Sequence, residues 1–104
     1  MKTESEKKLE AALVRDVAKM GGLAVKLTSQ FHRGLPDRLV LLPGGWADFV
    51  ELKSTGKKPT DLQLATHGRL RAMGFGVKVI DNAVDLAGLL AGYRDLIGGT
   101  EEEA

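Results

Sequence analysis

Two helix-start signals lie near residues 3 and 60, and the segment between the two predicted helices contains only short strand-like runs. Thr3 is followed three residues later by Glu6, and Thr60 is followed at the same spacing by Gln63. This spacing is typical of a capping box, in which the threonine hydroxyl and the later side chain each accept a hydrogen bond from a backbone N–H of the first turn. One helix is therefore predicted to begin after Thr3 and a second after Thr60.

Four strand-like runs complete the pattern. Each is short and apolar and is bounded by turn residues, and Pro43-Gly44-Gly45 between the second and third runs suits a hairpin. Gly98-Gly99 is expected to end the last helix before a flexible acidic tail over 100–104. The predicted helices are 3–20, 60–74 and 83–97, the predicted strands are 23–28, 37–42, 46–53 and 75–80, and a polar loop covers 29–36.

This order of elements constrains the fold. It runs helix, three strands, helix, strand, helix, which predicts an α/β protein with a small mixed sheet flanked by helices. Three strands would form an antiparallel meander, and a helical crossover would add the fourth. With 104 residues, the chain is expected to be one domain, 1–104.

Composition excludes several classes of protein. The chain has no cysteine, so it cannot hold a disulfide framework or a thiolate metal site. Its first ten residues carry acids and lack the apolar segment of a signal peptide. Since no stretch is apolar enough to cross a bilayer, we expect a cytoplasmic protein without a membrane partner.

Charge is distributed unevenly along the chain. The net charge is only +1, but residues 21–80 hold nine Lys and Arg against four acids, whereas the two ends hold six against ten. A basic middle segment indicates a polyanionic partner such as DNA. On this observation alone, an evenly solvated surface explains the charges equally well.

Three charged residues are predicted to converge at one edge of the sheet. Asp37 follows Pro36 at the mouth of one strand, and Glu51 and Lys53 lie two apart on the next. Residues two apart on a strand project from the same face, and the hairpin would bring Asp37 close to Glu51. Individually, an Asp after a Pro is usually a turn residue, and a Glu and Lys at this spacing usually form a solvated face.

These residue types fit phosphodiester hydrolysis. A hard cation such as Mg²⁺ takes oxygen ligands, which Asp37, Glu51 and the Leu52 backbone carbonyl could supply. The cation lowers the pKa of its bound water and polarises the phosphoryl oxygen. Lys53 could orient that water, accept its proton or stabilise the developing charge.

The same residues carry a family resemblance. Pro36-Asp37 followed by Glu51-Leu52-Lys53 resembles the PD-(D/E)xK nuclease superfamily. The likeness covers most of the chain, from the first helix to Ile80. Within this superfamily, the chain is similar to the VRR-NUC (virus-type replication-repair nuclease) branch in a standalone form. The segments that carry it are Gly21-Gly22, Gly34-Leu35-Pro36-Asp37-Arg38, Phe49-Val50-Glu51-Leu52-Lys53, Lys57-Lys58-Pro59-Thr60 and Gln63.

The resemblance implies a fold and an activity. It implies a restriction-endonuclease-like αβββαβ core and a DNA endonuclease that depends on Mg²⁺ or Mn²⁺. It also implies branched DNA as substrate, a homodimer for a chain this small, and a place in DNA repair inside a bacterial or phage-infected cell.

The resemblance further implies two site residues outside the strands. The family uses a glutamate of the first helix at the metal, and Glu10 is preferred over Glu6, because Glu6 already completes the first capping box. Gln63 matches the family's glutamine and is assigned to the catalytic site, although it also completes the second capping box.

Two loops beside the predicted site carry candidate DNA contacts. His32 and Arg33 precede Asp37 and Lys57 and Lys58 follow Lys53, so all four could meet phosphates. For each one, ordinary solvated loop charge is an equally good explanation. The second histidine, His67, has no histidine at ligand spacing and is predicted to lie on a helix surface.

The expected function is thus a structure-specific DNA nuclease acting as a homodimer. Three alternatives remain open. They are a nuclease of the same fold from another branch, a non-catalytic nucleic-acid-binding module, and a partner-binding α/β domain. The presence of Asp37, Glu51 and Lys53 together argues against the non-catalytic module.

Overall fold

A computed structural model describes residues 2–28 and 32–103 of the chain, with side chains described through residue 98. The predicted loop 29–36 and the predicted flexible tail therefore lie partly outside the described residues. The elements are helices α1 (Glu4–Lys19), α2 (Asp61–Ala72) and α3 (Ala83–Glu103), and strands β1 (Leu23–Lys26), β2 (Arg38–Leu42), β3 (Trp46–Leu52) and β4 (Gly76–Ile80).

The four strands form one sheet in the order β1-β2-β3-β4. β1, β2 and β3 are antiparallel neighbours, and β4 joins β3 in parallel after the α2 crossover. Gly44 and Gly45 adopt φ values of 92° and 85° in the β2–β3 hairpin, a backbone region that favours glycine. The predicted α/β class, meander, hairpin and crossover are all confirmed.

Helices α1 and α3 pack on one face of the sheet because each carries an apolar stripe at helical spacing. Strands β2 and β3 alternate, so every second residue points into this layer. The core residues are Leu9, Leu13 and Val17 of α1, Val40, Leu42, Val50 and Leu52 of the sheet, Ile80 of β4, and Leu86, Leu90, Tyr93 and Ile97 of α3.

The opposite face of the sheet is only partly covered. α2 packs on it beside β4, and its Thr60–Gln63 capping box is present as predicted. Beyond α2, four apolar residues of neighbouring strands are exposed on the same face. We call this surface the open sheet face; it consists of Leu23, Val25, Leu41 and Ala47.

The end of the last helix was predicted wrongly. α3 does not stop at Gly98-Gly99 but continues to Glu103. A glycine inside a helix costs only about 1 kcal/mol relative to alanine, and α3 is held in the core by buried residues up to Ile97. Among the described residues, each helix is too short or too polar to traverse a bilayer.

Candidate active site

The end of β3 brings together an acid, a lysine and an amide. Lys53 Nζ lies 3.2 Å from Glu51 Oε2 and donates to Gln63 Oε1 at 2.9 Å. Gln63 Nε2 donates to the same Glu51 oxygen at 3.0 Å. Gln63 Oε1 also accepts from the Thr60 N–H at 2.9 Å. The capping role and the contact with the site thus coexist in one side chain.

Asp37 reaches this cluster from the neighbouring strand. Its Oδ2 accepts a hydrogen bond from the Leu52 N–H at 2.8 Å, which ties it to the residue between Glu51 and Lys53. Pro36 before it is fully buried, so the strand entry is anchored. The Leu52 carbonyl, the predicted third ligand, belongs to the same residue as the amide that Asp37 holds.

Gly34 allows the loop before Asp37 to approach α2 closely. Its φ is +86°, and a Cβ there would lie 2.7 Å from the Leu62 carbonyl oxygen and 2.8 Å from Thr66 Oγ1. Thr66 Oγ1 donates to the Arg33 carbonyl at 3.2 Å, which holds the loop on the helix. A larger residue would push the loop, and the aspartate after it, away from α2.

Glu10 and Asp37 both form an ion pair with the ammonium of Lys2. Lys2 Nζ is 3.2 Å from Glu10 Oε1 and 3.2 Å from Asp37 Oδ1. Arg38 Nε donates to the other Glu10 oxygen at 2.8 Å. Burial raises the pKa of Glu10, but the hydrogen bonds from Arg38 and Lys2 outweigh burial and leave this pKa below its usual value.

Glu6 does not complete a capping box as predicted. Thr3 accepts from the Glu6 N–H at 3.2 Å, but the Glu6 carboxylate accepts from Ser54 N–H at 3.2 Å and Ser54 Oγ at 2.8 Å. Long-range hydrogen bonds to Ser54 thus replace the local one, and the hydrogen bond from the Ser54 side chain lowers the pKa of Glu6. Glu6 consequently supports the residue that follows Lys53.

His67 is buried, contrary to the prediction that it lies on a helix surface. Its exposure is 0%, and its Nε2 lies 3.9 Å from Glu51 Oε1. Burial lowers the pKa of His67, and the positive charges of Arg71 and Lys53 lower it further. Burial and these two charges therefore favour the neutral form of the imidazole.

Glu51 is held in an environment that resists its ionisation. Burial raises the pKa of its carboxyl, and the negative charge of Asp37 raises it further. The hydrogen bond and charge of Lys53 act in the opposite direction without reversing the shift. A second positive charge near Glu51 and Asp37 would relieve this repulsion.

The donor set fits a hard divalent cation. Two neighbouring carboxylates and a backbone carbonyl are oxygen donors, and Lys2 already lies as a cation between Asp37 and Glu10. Among the described residues, no three Asp, Glu or His side chains are grouped closely enough to hold a metal by themselves. Mg²⁺ commonly uses one or two carboxylates and completes its shell with water and substrate phosphate, and a pair such as Asp37 and Glu51 would match this preference.

The candidate DNA contacts lie on the two loops that flank the cluster. His32, Arg33, Lys57 and Lys58 are all exposed. The first pair precedes Asp37, and the second pair follows Lys53.

Sequence reasoning missed four residues of the site. Arg38 lay in the quoted motif but was given no role, and His67 lies four residues after Gln63, a spacing that places both on one face of α2. Lys2 and Ser54 carry no sequence signal, because only the fold brings them to Asp37 and Glu6.

The chain is similar to known proteins in sequence and in fold. No protein-family model matches the chain. A protein named "Putative nuclease p44", from Acyrthosiphon pisum secondary endosymbiont phage 1, is 48% identical over 90 residues, which cover 86% of this chain and 96% of that protein. A solved structure described as a VRR_NUC domain is 33% identical, with a TM-score of 0.81, and the match covers 88% of this chain and 99% of that one. Identity at this level over almost the full length, together with the common fold, shows that the chain belongs to the VRR-NUC family.

Proposed function

We propose that the chain is a DNA endonuclease that depends on Mg²⁺ or Mn²⁺ and hydrolyses phosphodiester bonds. The observation that carries the proposal is the cluster at the end of β3, where Gln63 joins Glu51 to Lys53 beside Asp37. The relatives support it, since one is named a nuclease and the other a VRR_NUC domain.

Each residue of the cluster has a distinct task in this reaction. Asp37 and Glu51 would hold the cation together with the Leu52 carbonyl, and Glu10 would add a carboxylate once Lys2 moves away. When bound, the cation supplies a water of lowered pKa and polarises the phosphoryl oxygen. Lys53, which Gln63 keeps beside Glu51, orients the attacking water and offsets charge on the phosphate.

The test is cleavage of labelled DNA with Mg²⁺, with Mn²⁺ and with a chelator. We expect Lys53→Ala to lower the rate about 100-fold or more while leaving DNA binding in chelator unchanged. Lys19→Ala removes an exposed lysine of α1 and serves as the control. Retention of most activity in Lys53→Ala would contradict the assignment.

Metal binding can be tested without cleavage. Asp37→Ala and Glu51→Ala each remove an oxygen ligand, and the remaining acid alone should bind a hard cation poorly. Calorimetric titration with Mn²⁺ should therefore show loss of binding in both variants. Unchanged affinity in both would place the cation elsewhere in the protein.

The proposed nuclease acts as a homodimer through the open sheet face. Leu23 is 65% exposed, and its exposed neighbours Val25 and Leu41 extend the apolar surface along β1 and β2. β1 is also the edge strand of the described sheet, and an edge strand can pair with another chain. A second copy brings the same apolar surface, so a two-fold interface is self-complementary.

The dimer is tested by measuring the mass of the protein in solution. Leu41→Glu places a charge in the open sheet face and should give a monomer. Val84→Glu is the matched control, because Val84 is 81% exposed but lies on α3, away from this face. If the wild type is a dimer and Leu41→Glu still has the mass of a dimer, this interface is excluded.

The proposed substrate is branched DNA, cut inside a bacterial or phage-infected cell during repair. A dimer presents two sites, so each protomer can cut one strand of a branch, and His32, Arg33, Lys57 and Lys58 would contact the phosphates. A panel of junction, flap and linear duplexes tests this preference. Equal rates on linear and branched DNA would contradict it.

A further inference from the structure

His67 and Glu51 face each other in the protein interior without a hydrogen bond between them. His67 Nε2 lies 3.9 Å from Glu51 Oε1. Within the described part of the chain, these two atoms and His67 Nδ1 have no hydrogen-bond partner. Glu51 is 2% exposed, so water does not readily satisfy its free oxygen. Buried polar atoms without partners lower stability, and this pair therefore calls for an explanation.

Gln63 and His67, two polar residues of α2, face different oxygens of the Glu51 carboxylate. Gln63 donates to Glu51 Oε2 at 3.0 Å, and His67, one helical turn later, faces Oε1. The 3.9 Å separation is about 1 Å longer than an N–H···O hydrogen bond. Hydrogen bonds of catalytic sites often become short only when the site is loaded.

We propose that His67 is a positioning residue of the nuclease site, whose Nε2–H donates to Glu51 Oε1 when this carboxylate binds the divalent cation. The inference rests on the proposed function. With Gln63 and Lys53 on Oε2 and His67 on Oε1, the carboxylate plane is fixed, and Oε1 keeps one lone pair for the cation. Hydrogen bonds of this kind orient metal-binding carboxylates, and their loss typically lowers metal affinity 10–100-fold.

A purely structural role for His67 leads to the opposite expectation. An imidazole whose two nitrogens lack partners fills an interior less favourably than an apolar side chain of similar size. If His67 only fills space, a leucine there should leave metal binding unchanged. If His67 positions Glu51, leucine should preserve the fold but weaken the binding of the cation.

The experiment compares wild type, His67→Leu and His67→Gln as full chains. Calorimetry measures the Mn²⁺ affinity, and single-turnover cleavage of labelled DNA measures the reaction rate. Urea unfolding without metal measures the stability. We expect His67→Leu to unfold at the same or a higher urea concentration and to bind Mn²⁺ about 10–100-fold more weakly. His67→Gln, whose amide N–H can reach a position similar to imidazole Nε2, should recover most of the affinity and rate.

Leu70→Met controls for repacking of α2, since it changes a buried apolar residue of the same helix and should leave Mn²⁺ affinity unchanged. If His67→Leu does not fold, His67→Met supplies the apolar variant. Wild-type Mn²⁺ affinity in the apolar variant would overturn the proposal, and so would His67→Gln binding no better than that variant. A wild-type protein that neither binds Mn²⁺ nor cleaves DNA would instead contradict the proposed function, and the role of His67 with it.

Discussion

The ammonium of Lys2 lies 3.2 Å from the carboxylate of Asp37, the residue proposed to bind the cation, and the same ammonium contacts Glu10. A lysine thus lies between two acids that a divalent ion would bring together. In the proposed site, an ion that contacts both carboxylates would have to displace Lys2 first.

Removing this lysine should therefore strengthen metal binding. We expect Lys2→Met to raise Mn²⁺ affinity about two- to fivefold, since partly exposed ion pairs contribute up to about 1 kcal/mol. Lys8→Met removes the same charge from an exposed position of α1 and is the control in the calorimetric titration. A weaker affinity in Lys2→Met would show that Lys2 supports the site and does not compete with the ion.

Glu10 and Glu6 should differ in their effect on catalysis. Glu10→Gln removes a charge beside Asp37 and Arg38, so it should lower the single-turnover rate and cost roughly 1.5 kcal/mol of stability. Glu6→Gln keeps an oxygen that can accept from Ser54 and should change the rate little. Urea melts and cleavage assays on both variants measure the two effects. A large rate loss in Glu6→Gln alone would reverse the assignment.

Glu51 should make the metal-free protein less stable at neutral pH. Its pKa is raised in the folded protein, mainly by burial and then by Asp37, so the folded state favours the protonated form. The stability that this group contributes is present below the ordinary pKa of 4.5 and is lost as the pH rises through the higher folded-state pKa. Glu51→Gln should therefore unfold at higher urea concentration than wild type at pH 7, with a smaller difference at pH 4. Asp95→Asn, exposed on α3, is the control, and equal stability of wild type and Glu51→Gln at pH 7 would contradict the prediction.

Tyr93 should contribute to stability but not to catalysis. Its hydroxyl donates to Asp48 Oδ2 at 2.6 Å in the core, on the face of β3 opposite to Glu51. Tyr93→Phe leaves a buried carboxylate oxygen without this donor and should cost about 1–3 kcal/mol. Lys78, which contacts the same aspartate at 3.2 Å but is half-exposed, is the comparison, and Lys78→Met should cost at most about 1 kcal/mol. Similar urea midpoints for wild type and Tyr93→Phe would rule out this contribution.

Local signals in the sequence were enough to predict most of the fold. The second capping box and the Pro43-Gly44-Gly45 hairpin depend on residues within a few positions of each other, and both are present. The convergence of Asp37 with Glu51 also followed from strand order, because a hairpin fixes which residues of two neighbouring strands lie side by side.

The wrong predictions for Glu6 and His67 concern residues whose partners are distant in sequence. Glu6 binds Ser54, which lies 48 positions away. His67 was assigned to the surface because no second histidine stands at ligand spacing, a criterion that does not address burial. In the structure His67 is buried, whereas Leu62 and Leu64 of the same helix are each 51% exposed. A helix that packs against Glu51 has to turn its polar residues inward, and hydrophobic patterning cannot reveal that requirement.

The central position of β3 also limits how the protein can misfold. β3 is paired on both sides, with β2 in antiparallel and β4 in parallel orientation. A slip of one residue would exchange the two faces of the strand and turn Glu51 and Lys53 into the apolar layer that now holds Val50 and Leu52. Two charges would then lie among the core side chains of α1 and α3, at a cost of several kcal/mol each. The residues proposed to cut DNA thus also disfavour the wrong strand register. A chain that reaches a well-packed core therefore has Glu51 and Lys53 on the correct face of β3.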